Sequence, residues 1–100
     1  MIIAAGLWIL AELFVAVIIQ FLSWDRIKSW FADRDTEINA NDDHLRVTLH
    51  EKMKTGQHRV VSGIFNAATS KFIEGETVVA DTIDSELSEF HKDSPLVVYT

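Results

Sequence analysis

From Ile2 to Leu22 the chain is apolar on every side of any helix drawn through it, with only Gly6, Glu12 and Gln20 interrupting the run. An α-helix of that length measures about 30 Å, the thickness of a bilayer core. The pattern therefore predicts a transmembrane helix rather than a one-sided surface helix. Trp24, Ile27 and Phe31 then recur at helix spacing, so residues 23–32 read as the same helix leaving the membrane along its surface. Residues 32–43 (ADRDTEINANDD) carry no hydrophobic period and read as a polar linker.

At His44 the period changes to two. Leu45, Val47 and Leu49 alternate with His44, Arg46, Thr48 and His50, the signature of a half-buried strand. A turn at Lys54-Thr55-Gly56-Gln57 leads into a second strand, His58 to Asn66. A further turn at residues 66–70 leads into a third, Lys71 to Ala80, where Gly75 suggests a bulge or bend. Asp81 or Thr82 opens a short helix whose apolar stripe is Ile83, Leu87 and Phe90. Asp84 and Glu86 stand in its first turn, His91 and Lys92 in its last, as the helix dipole favours. Ser94-Pro95 ends it, and Leu96 to Tyr99 form a last strand.

The expected fold is α+β: one N-terminal transmembrane helix followed by a small β-β-β-α-β domain, a four-stranded sheet packed on one helix. The expected divisions are 1–31 (transmembrane and interfacial helix), 32–43 (linker) and 44–100 (soluble domain). Handedness of crossover connections predicts the last strand parallel beside the first. Leu45, Val47, Leu49 and Phe65 are expected to meet Ile83, Leu87 and Phe90 on the helix-covered face.

Charge sharpens this division. Residues 1–24 hold one ionisable side chain, Glu12, and the remainder holds all nine Lys/Arg and the other fourteen Asp/Glu. The α-amino group alone precedes the apolar run, whereas Arg26, Lys28 and Arg34 follow it. The positive-inside rule then puts the N-terminus outside and residues 25–100 in the cytoplasm. The apolar stretch is too long for a secretory leader and lacks a basic n-region and a small-residue cleavage site. Trp24, Trp30 and Phe31 suit a headgroup-level belt. Glu12, near mid-span, needs a neighbour, either as a neutral hydrogen-bonded carboxyl or as an ion or proton site.

The candidate chemistry is sparse. With zero cysteines the chain has no disulfide framework and no thiolate ligands. His44, Arg46, His50 and Lys52 alternate onto one strand face and read as a partner-binding face. His50 and His58 lie eight residues apart, which is no metal-ligand spacing, so no metal and no cofactor is expected. Glu74 and Glu76 pair two carboxylates at a bend without a cleft. His91, Asp93 and Ser94 are sequence neighbours that make no triad by adjacency alone. A net charge of −6 and an acidic C-terminal third argue against nucleic-acid binding.

These features predict a non-enzymatic, single-pass membrane protein serving as an interaction or assembly module. It would be an accessory subunit of a larger membrane complex or a self-associating anchor, with membrane lipid and other membrane subunits or its own copies as partners. Glu12 would serve intramembrane pairing. The alternative is a small oligomeric channel or ion-coupled component built around the Glu12 carboxyl.

Overall fold

The computed structural model describes residues 16–99. Their element order is β1 (Ala16–Leu22), α1 (Trp24–Ala32), α2 (Asp35–Asn39), β2 (His44–Lys52), β3 (His58–Asn66), β4 (Lys71–Ile83), α3 (Ser85–Phe90) and β5 (Leu96–Tyr99). The five strands form one mixed sheet in the order β1-β4-β3-β2-β5.

This overturns the expected fold of a transmembrane helix followed by a four-stranded sheet on one helix. The last seven residues of the apolar run are a strand, paired in parallel with β4 from Ala16↔Thr77 to Leu22↔Ile83. No helix among the described residues is long and apolar enough to cross a membrane. The physical reason lies in Val17, Ile18 and Ile19. Their branched β-carbons resist helical rotamers and suit a pleated surface, and a short apolar run cannot by its period distinguish strand from buried helix. Glu12 and the rest of the run before Ala16 lie outside the described residues.

Ser23 ends the strand and starts a separate helix. Its backbone is extended, and its hydroxyl accepts the Arg26 N–H at 3.1 Å, an N-cap. α1 buries Ile27, Trp30 and Phe31 against the sheet, so the side chains expected in a headgroup belt face protein: Trp30 is 7% and Phe31 6% exposed, and Trp24 packs at the edge of the same core. Within the expected linker, α2 forms and buries Ile38. The first core thus joins Leu22, Ile27, Trp30, Phe31, Ile38, Val60, Ile64, Val78, Ala80 and Leu87.

β2, β3 and β4 are the expected antiparallel meander, in regular register from His44↔Asn66 to Lys52↔His58. The bulge falls at Ile73 rather than Gly75. Ile64 pairs with Glu74 and Phe65 with Phe72, leaving Ile73 as the extra residue, while Gly75 sits in register opposite Gly63. Gly56, at φ +89°, supplies the left-handed residue of the β2–β3 turn.

Two expectations about packing also fail. β5 does lie beside β2, but antiparallel. α3 has six residues, about 9 Å, too short to carry the chain back along a nine-residue strand of about 30 Å. The chain therefore crosses at one end of the sheet and re-enters there. In addition, Val47, Leu49, Val61 and Phe65, flanked by Leu45, Phe72 and Leu96, form a second cluster on the face opposite the three helices. The helix side of β2 carries its polar positions instead.

Candidate functional site

That inversion brings the polar side chains of β2 inward. Thr48, fully buried, is the centre of a hydrogen-bonded chain. Its Oγ1 lies 2.7 Å from His91 Nε2 and 2.7 Å from the Tyr99 hydroxyl. His91 Nδ1 lies 3.0 Å from the Ser94 carbonyl oxygen. A carbonyl only accepts, so His91 carries its proton on Nδ1 when neutral. Nε2 is then bare and accepts the Thr48 hydroxyl proton. Thr48 Oγ1 in turn accepts from the Tyr99 O–H. One carbonyl thus sets the direction of every bond in the chain: Tyr99 to Thr48, Thr48 to His91, His91 to Ser94.

Beside this chain stands a histidine pair. His50 Nε2 and His58 Nδ1 are 2.9 Å apart, with ring centroids 5.2 Å apart and nearly parallel planes. The His91 ring is 5.5 Å from that of His50. Burial pushes the His50 imidazole down to about 4, helped by the His91 and His58 charges. Burial lowers His58, with Lys52 adding to it, and burial lowers His91, against the opposing pull of its bond to Ser94. Burial raises the Tyr99 hydroxyl. At neutral pH the cluster is uncharged.

The residues expected to face a partner are thus engaged within the chain. His44 Nδ1 donates to the Glu37 carbonyl at 3.0 Å, and Arg46 pairs with Asp35 at 3.1 Å, both reaching α2. His50 is in the histidine cluster, and only Lys52, at the strand's end, is exposed. Glu74 and Glu76 each take an arginine: Arg34, between α1 and α2, pairs with Glu74, and Arg26 on α1 pairs with Glu76 at 3.3 Å. The Arg34 guanidinium also lies 4.0 Å from the Trp30 ring centroid and donates to the Trp30 carbonyl. The two carboxylates therefore brace α1 on β4, and the crease beside them, lined by Arg26, Ser29, Trp30, Asp33 and Glu76, is open to solvent.

The Thr48–His91 pair has the hydroxyl–imidazole geometry of an activated nucleophile. Thr48 has 0% exposure, so no substrate carbonyl reaches its oxygen. Among the described residues no group of three or more His, Asp or Glu is placed to hold a metal ion. Sequence reasoning missed His91 and Tyr99 as partners of β2, because 43 and 51 residues separate them from Thr48. The polar stripe on β2 was the available signal: a strand with Thr and His on alternate positions needs hydrogen-bond partners if that side is covered.

A second feature is the edge strand β1. It contains no charged residue and no proline, and its side chains Ile18 and Phe21 are 76% and 54% exposed. No protein-family model, no curated protein and no solved structure matches this chain.

Proposed function

We propose that this chain is a non-catalytic interaction and assembly module whose contact element is β1. The observation that carries this reading is an edge strand that, among the described residues, carries no charge and no proline. Sheet edges in stable monomers are usually blunted by charge, proline or a bulge, because free backbone N–H and C=O groups recruit further strands. β1 has neither charge nor proline over Ala16–Leu22, and Ile18 and Phe21 project apolar surface beside it. Among the described residues it pairs only with β4. Main-chain hydrogen bonds to an added strand would supply affinity, and the two exposed side chains would supply selectivity. The burial of the best-placed hydroxyl, Thr48, supports the non-catalytic half of the reading.

The partner is a protein chain presenting a strand, either a second copy or a subunit of a larger assembly. Native mass spectrometry of the full chain, purified gently with whatever accompanies it, tests this. A mass above one chain is expected, homomeric or mixed. Ile18→Lys, which places a charge on an already exposed position, should return the protein to a single chain without lowering its melting temperature. A single chain in the unaltered protein across micromolar concentrations, or assembly that survives Ile18→Lys, overturns the proposal.

A further inference from the structure

The histidine cluster is independent of β1 and calls for its own explanation. Three imidazoles from three elements converge: His50 on β2, His58 on β3 and His91 directly after α3. The groups acting on them are basic, His58 and His91 on His50 and Lys52 on His58. Tyr99, facing from β5, is a neutral hydroxyl. Neighbouring carboxylates point elsewhere or are otherwise engaged. Glu51 pairs with Arg59 on the opposite face of the sheet, Asp81 accepts from Gln57, and Glu89 is 3.9 Å from Lys92 on the exposed side of α3. Asp93 is exposed.

We propose that this cluster is a proton-operated latch: neutral imidazoles hold the segment 84–99 against β2, and acidification releases that segment while the β2–β3–β4 meander stays folded.

The hydrogen-bond bookkeeping makes the cluster intolerant of protons. The His50–His58 bond requires one bare nitrogen. A first added proton goes to the outer bare nitrogen, and the N–H between the rings still finds an acceptor. A second makes both nitrogens donors and leaves two cations at 2.9 Å. A proton on His91 turns Nε2 from acceptor to donor. Three protons then meet two contacts, and either the Thr48 or the Tyr99 hydroxyl proton loses its acceptor in the chain. The His91 event acts directly where residues 84–99 join β2, and the charge on the His50–His58 pair stands beside it, 5.5 Å from the His91 ring. The join also includes the His50 N–H donating to the Pro95 carbonyl at 2.9 Å.

The segment is the weaker side of that join. β2 and β3 share a nine-residue ladder, whereas β5 has four residues paired to β2, and α3 buries Leu87 alone. Local opening draws on such sparsely anchored elements. The direction with pH follows from the lowered imidazoles. Below about pH 6.5 the open segment takes up protons that the closed one excludes, so closure weakens as pH falls toward 4. For His50 alone the limiting bias at pH 5 is about 30-fold, and with the ring half-exposed about tenfold is expected.

Amide hydrogen exchange of the full chain at pH 7 and pH 5, corrected for intrinsic rates, reads the latch directly. Protection in residues 86–99 should fall about tenfold at pH 5 while that of β3 holds. In His50→Gln the acid response should shrink to below about threefold, and in His58→Asn it should shrink in part. Equal loss of protection in β3 and in 86–99, or an undiminished response in both variants, overturns the latch. If His50→Gln does not fold, His58→Asn and a direct NMR titration of the parent decide. A His50 imidazole titrating near 6.5 overturns the proposal, and one titrating well below it sustains the proposal.

Discussion

Two side chains, Thr48 and Asp84, join elements far apart in sequence, Thr48 by two hydrogen bonds and Asp84 by one. Thr48 is nearly isosteric with valine, so Thr48→Val removes the hydroxyl and little else. It leaves His91 Nε2 bare and buried and deprives Tyr99 of its acceptor. A buried group left without a partner costs about 1–3 kcal/mol, so a loss of about 2 kcal/mol is expected in urea denaturation. Thr48→Ser keeps both bonds and loses one methyl, about 1 kcal/mol. An equal loss for the two variants would mean that packing rather than hydrogen bonding decides. Asp84 caps α3 by accepting the Glu86 N–H at 3.2 Å and accepts the Trp24 N–H at 3.1 Å, so one carboxylate serves the start of two helices. Those bonds, Trp24 first, hold its carboxyl below its usual 3.8. The stabilisation is present above 3.8 and is lost as pH falls through the lower folded value. Asp84→Ala should therefore melt below the parent at pH 7, and the gap should close toward pH 3. Asp84→Asn, with one acceptor oxygen, should fall between them; a gap that persists in acid would show that the charge state is irrelevant.

At the scale of elements, the β3–β4 pairing shows how one residue type sets a local packing. Gly63 has no side chain, and the Phe72 ring occupies the space: an added Cβ would meet Phe72 Cε1 at 2.5 Å. Gly63→Ala would swing that ring from its edge-on contact with Phe65, at 5.5 Å between centroids. A loss of about 1–2 kcal/mol is expected. Phe72→Leu combined with Gly63→Ala should recover part of it, and a double variant no more stable than Gly63→Ala alone would locate the strain elsewhere. β2 was legible from period two and β3 from its run of Val, Ile and Phe, and their turns from Gly56 and from residues 66–70. Which face meets the helices was not legible. Both faces of β3 are apolar, Val60 and Ile64 on one, Val61 and Phe65 on the other, so that strand is silent on the question. β2 spoke misleadingly, since its polar stripe finds partners within the chain, on α2 and at His58, His91 and Tyr99. β1 was hidden inside a longer apolar run, where helix and strand present the same composition. Ser23, as an N-cap before Trp24, was the one local mark of the break. The histidine cluster needed the fold itself, because His91 reaches β2 only through the antiparallel return of β5.

For the molecule as a whole, the consequence is that the core does not divide at residue 44. Among the described residues, the apolar cluster on the helix side of the sheet has ten buried side chains, of which five come from before that point: Leu22, Ile27, Trp30, Phe31 and Ile38. Arg26, Arg34 and Asp35 make three of the ion pairs that tie that stretch to β4 and β2. A fragment of residues 44–100 would expose Val60, Ile64, Val78 and Ala80, the sheet half of this core. It would also lose burial worth about 1.5–3 kcal/mol for each large aliphatic or aromatic side chain removed. Small domains hold a margin of only about 5–15 kcal/mol, and five such losses, about 7.5–15 kcal/mol together, are of the same size. The fragment should therefore give a collapsed amide spectrum in two-dimensional NMR and no cooperative thermal transition, whereas the full chain gives both dispersion and a transition. Supplying residues 16–43 as a separate chain should restore dispersion in part, because the missing half of the core is a contiguous stretch. A fragment 44–100 that folds cooperatively alone would show that the sheet closes on its second cluster, Val47, Leu49, Val61 and Phe65. α1 would then be an appendage rather than half of the core.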